Sequence, residues 1–299
     1  MLKKVAVITF LLTILVFNTG VFAANELSGN KITDIKVEGN QKISKQEILM
    51  EVETQVGDKI DNDKLREDLK SIYDLGYFLD IKINFKNYND GVQLIFQVME
   101  NPVIEEIVIE GNKEITTKKL KKLLGVKSGK ILNVNTLKNG IKGINDYYQK
   151  QGFPLGRVVD RRIKNSNQLY LKVNEGRINK IEIKGNKETK EYVIRRELSV
   201  QEGQVLNMNK LQRDIRDLYR LGFFKGIKPQ FKRVENDPQA VNVVIEVTEK
   251  KTGSLQFGVS HSPDSGIMGT INVSKDNLFG TAQKVNVKLE AGEERDYYE

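Results

Sequence analysis

The sequence runs to 299 residues with 48 Lys and Arg against 40 Asp and Glu, a net charge of +8, one His and no Cys or Trp. No disulfide framework, thiolate metal site, iron–sulfur cluster or thiol nucleophile is possible, and the single His, His261, cannot build a multi-His metal centre. A hydrophobic content of 39% beside 29% charged residues fits a folded chain rather than a disordered one.

The N-terminus reads as an address. Met1-Leu-Lys-Lys4 is basic, Val5 to Phe17 is apolar apart from Thr9 and Thr13, and Asn18-Thr-Gly20 breaks the run. Val21-Phe-Ala-Ala24 then places small residues at cleavage-compatible spacing. This is the pattern of a secretory signal peptide over residues 1–24, cut after Ala23 or Ala24. The competing reading is an uncleaved anchor, for which the run is short, since a spanning helix needs roughly 20 apolar residues. Export places the chain where disulfides can form, so its lack of Cys is not imposed by a reducing compartment.

Three repeats follow. Gly-Asn stands at Gly39-Asn40, Gly111-Asn112 and Gly185-Asn186. A second Gly comes at Gly57, Gly129 and Gly203, then a Leu at Leu65, Leu137 and Leu211. Each unit closes on Val-x-Glu: Val98-Met-Glu100, Val173-Asn-Glu175 and Val247-Thr-Glu249. Every mark recurs at 72 to 75 residues, which defines units 31–102, 103–176 and 177–250.

Each unit reads β-α-α-β-β. A short alternating strand (Ile35 and Val37; Ile107 and Ile109; Ile181 and Ile183) ends at the Gly-Asn turn. Ser44, Thr116 or Thr117, and Thr189 stand where a first helix should be capped, and Ser44-Lys-Gln-Glu47 has capping-box spacing. A longer helix carries Leu65, Leu69, Ile72; Leu137, Ile141, Ile144; and Leu211, Ile215, Leu218. It stops at Gly76, Gly152 or Gly222, each followed by an aromatic. The middle unit has four more residues between its Leu and this Gly, about one extra helical turn. Two strands finish the unit, the last with strict alternation. The fold class is therefore α+β, a three-stranded sheet covered by two helices, repeated three times.

The second strand of each unit is expected at the sheet edge. It carries Pro154 or Pro229 and crowded charge (Asp80, Lys82, Arg161, Arg162, Lys225, Lys228), while the third strand suits a central place. An open edge is either a managed liability or a template for strand addition. On the second reading the binding residues are Leu79, Ile81, Ile83 and Phe85, then Val158, Val159 and Ile163, then Phe224, Ile227 and Phe231. The structural turn positions are Gly39, Gly57, Gly76, Gly111, Gly129, Gly152, Gly185, Gly203 and Gly222.

Residues 251–299 show no helix signal. Leu255, Phe257 and Val259; Ile267, Gly269, Ile271 and Val273; and Val285, Val287 and Leu289 alternate with polar residues across turns at Ser262-Pro-Asp-Ser-Gly266 and Asn277-Leu-Phe-Gly-Thr281. About three antiparallel strands are expected, either of a transmembrane β-barrel or of a small soluble meander.

Together these features resemble a known family. The β-α-α-β-β unit, with Leu75-Gly-Tyr-Phe78 and Leu221-Gly-Phe-Phe224 and the variant Gln151-Gly-Phe-Pro154, resembles a POTRA domain. Lys275-Asp-Asn-Leu-Phe-Gly-Thr281 resembles the first-hairpin motif of BamA-type outer-membrane assembly barrels. The resemblance implies an outer-membrane protein assembly factor with POTRA domains in the periplasm. They would bind unfolded outer-membrane proteins and accessory assembly subunits by β-augmentation, and the barrel would meet outer-membrane lipid. It implies no catalytic residue, no metal and no cofactor. Only 49 residues follow the repeats, too few to close a barrel, so a fragment of a longer protein is expected. A TamA-like subunit and a periplasmic scaffold without insertase activity are the nearest alternatives. A two-partner secretion transporter is weaker.

An enzyme is disfavoured, because the carboxylates, such as Glu67-Asp68 and Asp214, are expected on solvated helix faces. Export argues against a nucleic-acid partner. The charge is uneven, with ten basic and fourteen acidic residues in the first unit, fifteen and seven in the second, and sixteen and eleven in the third. The basic excess of the last two units is either solvated surface or a contact with anionic head groups.

Overall fold

A computed structural model describes residues 30–164, 167–262, 266–292 and 296–298. The expected signal peptide and most of the turn at Ser262–Gly266 lie outside these residues. The chain divides into two compact units, one of residues up to 147 with 157–174, the other of 148–156 with 175 onward.

The first unit opens with β1 (Ile32–Glu38), α1 (Lys45–Leu49), α2 (Asn62–Asp74), β2 (Phe78–Tyr88) and β3 (Gly91–Glu100). It continues with β4 (Val103–Ile104), β5 (Glu106–Glu110), α3 (Thr117–Leu124), β6 (Lys130–Ile131), α4 (Val134–Lys150), β7 (Arg157–Lys164) and β8 (Gln168–Asn174), with α4 running on into the second unit. The second unit holds β9 (Arg177–Lys184), α5 (Glu191–Arg195), α6 (Met208–Arg220), β10 (Phe224–Val234) and β11 (Asp237–Glu249). It ends with β12 (Gly253–Ser262), β13 (Gly266–Leu278), β14 (Gln283–Gly292) and β15 (Asp296–Tyr298).

The three repeat sheets share one topology: β1-β3-β2, β5-β8-β7 and β9-β11-β10. The last strand of each repeat lies in the middle, parallel to the first and antiparallel to the second. Its central place explains its strict alternation: Leu94, Phe96 and Val98, and likewise Val243, Ile245 and Val247, are buried in their cores. Helix α4 has 17 residues against 13 in both α2 and α6, the extra turn expected from the spacing. The pair β4–β6 was not expected; isolated bridges Lys31–Lys59 and Arg177–Val205 stand in its place elsewhere.

Two sequence expectations are corrected. Asp68 and Asp214 are buried, not solvated. Each lies three residues after the shared Leu, on the inward stripe of its helix, and fixes the loop entering that helix. Asp68 accepts the N–H of Glu53 at 2.7 Å and the hydroxyl of Thr54; Asp214 accepts Ser199 Oγ at 2.6 Å and the N–H of Val200 at 3.1 Å. The second repeat has Gly140 here, and a β-carbon on it would strike the Leu124 carbonyl, so the two helices touch where the others hold a carboxylate. The second correction concerns capping. Ser44 and Thr116 cap α1 and α3 by accepting from Glu47 and Lys119. Thr189 does not cap α5; the cap is Lys190, with no side-chain bond.

The tail is a four-stranded meander, β12-β13-β14-β15, one short strand more than expected. Among the described residues no helix is long and apolar enough to cross a membrane.

Candidate functional site: sheet edges and the strand meander

The Gly-Asn turn and the Val-x-Glu end of each repeat meet in space. Gly39, Gly111 and Gly185 share φ +88°, and a β-carbon on any of them would lie under 3.0 Å from the carbonyl oxygen of Val98, Val173 or Val247. The Asn closes the loop, donating to the carbonyl of Ile43, Ile115 or Thr189. In the first repeat the Glu100 carboxylate accepts the N–H groups of Gln41, Lys42 and Ile43; in the third, Glu249 accepts those of Lys187, Glu188 and Thr189. Burial would raise the Glu249 carboxyl, but the N–H groups and the Thr189 side chain outweigh it and hold it below its ordinary value. Glu175 is buried and accepts the Tyr148 hydroxyl at 2.8 Å; burial first, then this bond, pushes the phenol far up.

The second strands β2, β7 and β10 are sheet edges. Each begins with a register shift, at Phe78/Asp80, Val158/Asp160 and Phe224/Gly226. Such a bulge twists an edge away from indiscriminate pairing. Side chains also occupy an early amide of each edge: Asp80 Oδ1 accepts from Ile81 at 3.0 Å, Asn145 Oδ1 from Val158 at 2.9 Å, and Tyr219 Oη from Ile227 at 2.9 Å. Two residues beyond Ile227, Pro229 has no N–H to offer.

The ten edge residues divide by burial. Ile81, Phe224 and Ile227 are core members. Ile83, Phe85, Val158 and Ile163 are half-buried, and Leu79, Val159 and Phe231 are exposed. Leu79 and Val159 are the extra residues of their bulges, which is why they face solvent. The nine turn glycines have φ between +76° and +106°.

The meander inverts the repeats' burial. Leu255, Val273 and Val287 form one cross-strand row, and Phe257, Ile271 and Leu289 the next. All six are exposed, Phe257 to 73%, and Val259 beside them to 82%. The other face carries the rows Ser254, Ser274, Asn286 and Gln256, Asn272, Lys288, with Ser254 bonded to Ser274 at 2.7 Å and Lys288 paired with Glu290 at 2.6 Å. An apolar face turned outward behind a bonded polar face is the division of a membrane barrel wall.

Sequence reasoning missed how this meander joins the third repeat. Buried Asn277 donates to Thr189 Oγ1 at 2.9 Å and accepts the N–H of Ala282 at 2.8 Å. Lys190 N–H donates to the Gly280 carbonyl at 2.9 Å, and Ala282 packs against the repeat core. Thr189 is thus spent on the strand turn rather than on its own helix. Sequence reasoning also passed over the opposite edges, β1, β5 and β9.

Comparison with known proteins agrees with this architecture. The family model "POTRA: Surface antigen variable number repeat" matches residues 30–101, 102–176 and 177–250. The chain is 35% identical over 182 residues to an outer membrane protein assembly factor BamA of Nitratidesulfovibrio vulgaris, covering 58% of this chain and 23% of that protein. It is 27% identical over 286 residues to BamA of Neisseria meningitidis serogroup B, covering 86% and 36%. The chain thus spans about a quarter to a third of the length of these relatives. Among solved structures, the N-terminal domain of Omp85 from Thermosynechococcus elongatus matches with a TM-score of 0.68 at 27% identity, covering 74% of this chain and 98% of that one.

Proposed function

Because the chain belongs to the POTRA family, we propose that it is an outer-membrane protein assembly factor, with its repeats in the periplasm and its final strands opening a membrane β-barrel. The domains are then a signal peptide at 1–24, POTRA domains at 31–102, 103–176 and 177–250, and the start of the barrel at 251–299. The observation that carries this reading is the meander: its apolar rows face outward, and its turn between β13 and β14 is bonded to the third repeat. The apolar rows meet outer-membrane lipid. The repeats take unfolded outer-membrane proteins by β-augmentation along the second strands, and accessory subunits dock on the same array. Backbone pairing tolerates many client sequences, which a general assembly factor requires. No step needs bond chemistry.

Depleting the protein from its host tests the reading. Folded β-barrel proteins should decline in the outer membrane while unfolded forms accumulate in the periplasm. Undiminished barrel levels after depletion would overturn it in favour of a periplasmic scaffold.

A further inference from the structure

Three positions beside the first strand are filled differently in each repeat. In the third, Glu202 Oε1 accepts the N–H of Ile181 at 2.8 Å, and Arg195 Nη2 donates to the carbonyl of the same residue at 2.8 Å. Ile181 lies in the edge strand β9, so side chains hold both of its outward backbone groups. Glu191 steadies Arg195 through Nε at 2.6 Å. Counted from Gly-Asn, the positions of Arg195, Arg196 and Glu202 are Leu49, Met50 and Val56 in the first repeat, and Lys121, Lys122 and Ser128 in the second.

The first-repeat counterpart of Ile181 is Ile35, in the edge strand β1. Neither Leu49 nor Val56 can accept an N–H or donate to a carbonyl. Among the described residues no side chain is bonded to the Ile35 backbone. Val56 is 61% exposed and precedes Gly57, whose N–H donates to the Ile32 carbonyl at the start of the same strand, so an exposed apolar side chain lies near the open edge. An extended polypeptide supplies what Arg195 and Glu202 supply, a donor and an acceptor in line. A membrane strand also alternates apolar and polar residues, which suits an edge with an apolar flank on one side and water on the other.

We propose that the outer edge of β1, at Ile35 and Val37, is a strand-addition site for extended client segments with alternating apolar side chains. Arg195 and Glu202 plug the same edge of the third repeat. The proposal rests on the reading that the array takes clients by augmentation, and it names a different edge and an order among the repeats.

The test uses the full chain in detergent micelles and a short peptide of alternating valine and threonine flanked by lysines. Amide hydrogen exchange is read residue by residue. The peptide should slow exchange at Ile35 and Val37 about tenfold or more and leave Ile181 unchanged. N-methylation of alternate peptide residues should abolish the effect. V56E, an exposed change, should weaken it, and R195A/E202A should create protection at Ile181. The amide spectra of both variants report whether the fold is kept. Equal protection at Ile181 in the unsubstituted chain, or an equally effective N-methylated peptide, overturns the proposal. Protection at Ile83 and Phe85 without Ile35 overturns it and leaves the functional reading standing. Protection at neither edge sinks both.

Discussion

Gly185 sits directly under the Val247 carbonyl, with no room for a β-carbon between them. Its φ of +88° alone makes an L-residue costly, by about 1–2 kcal/mol, and the blocked carbonyl adds to that. Gly203 has φ +83° but open space around it. G185A should therefore destabilise the third repeat by about 2–4 kcal/mol and G203A by only about 1. Equal losses in denaturant unfolding would remove the packing argument.

The Glu249 carboxyl is held below its ordinary value of 4.5 in the folded chain. A depressed folded value gives stability that is fully present above about 4.5 and lost as pH falls through the lower folded value. The melting temperature of the unsubstituted chain should drop across that acidic window with a component that E249Q lacks. At neutral pH, E249Q should cost about 1–3 kcal/mol through weakened bonds to residues 187–189.

Asp68 and Glu67 are neighbours with opposite environments. D68A leaves the N–H of Glu53 and the hydroxyl of Thr54 without their acceptor and should cost about 1–3 kcal/mol. E67A should stay within about 0.5 kcal/mol of neutral. Chemical denaturation of both variants checks the pair, and D214A should repeat the D68A result.

N277A removes the buried bond to Thr189 and the acceptor for Ala282. The expected loss is about 1–3 kcal/mol, with faster amide exchange at Lys190 and Ala282. Unchanged exchange at both amides would show that the strand turn and the repeat are not coupled through this side chain.

The two meander faces should respond oppositely to charge. F257K places an ammonium on the apolar face and should cost up to about 2–4 kcal/mol of bilayer insertion at mid-depth, whereas T270K on the polar face should be tolerated. Flotation of the chain with liposomes reads the difference.

Much of the fold was legible because each repeat states its rules three times. The glycines, the central third strand, the edge position of the second and the longer α4 all follow from local sterics and hydrophobic period. Asp68 was misplaced: its spacing from Leu65 and Ile72 sets it on the inner stripe, but its charge led to a solvated face. Thr189 was not legible. A Ser or Thr before a helix reads as a cap, and only the fold reveals a competing donor 88 residues away. Nor does one repeat alone reveal the role of Arg195 and Glu202, because residues so placed look like ordinary surface ions until Ile181 is seen between them.

The Gly-Asn turn and the Val-x-Glu end of each repeat lie about 60 residues apart in sequence, at opposite ends of its segment. The middle strand of each sheet is also its last to be made. A chain delivered N-terminus first therefore cannot close a repeat until almost all of that repeat has emerged. Completion would proceed in whole repeats, each a long-range closure and so comparatively slow. Until its final Glu arrives, each unfinished repeat is itself an unfolded segment whose first and second strands have no central partner.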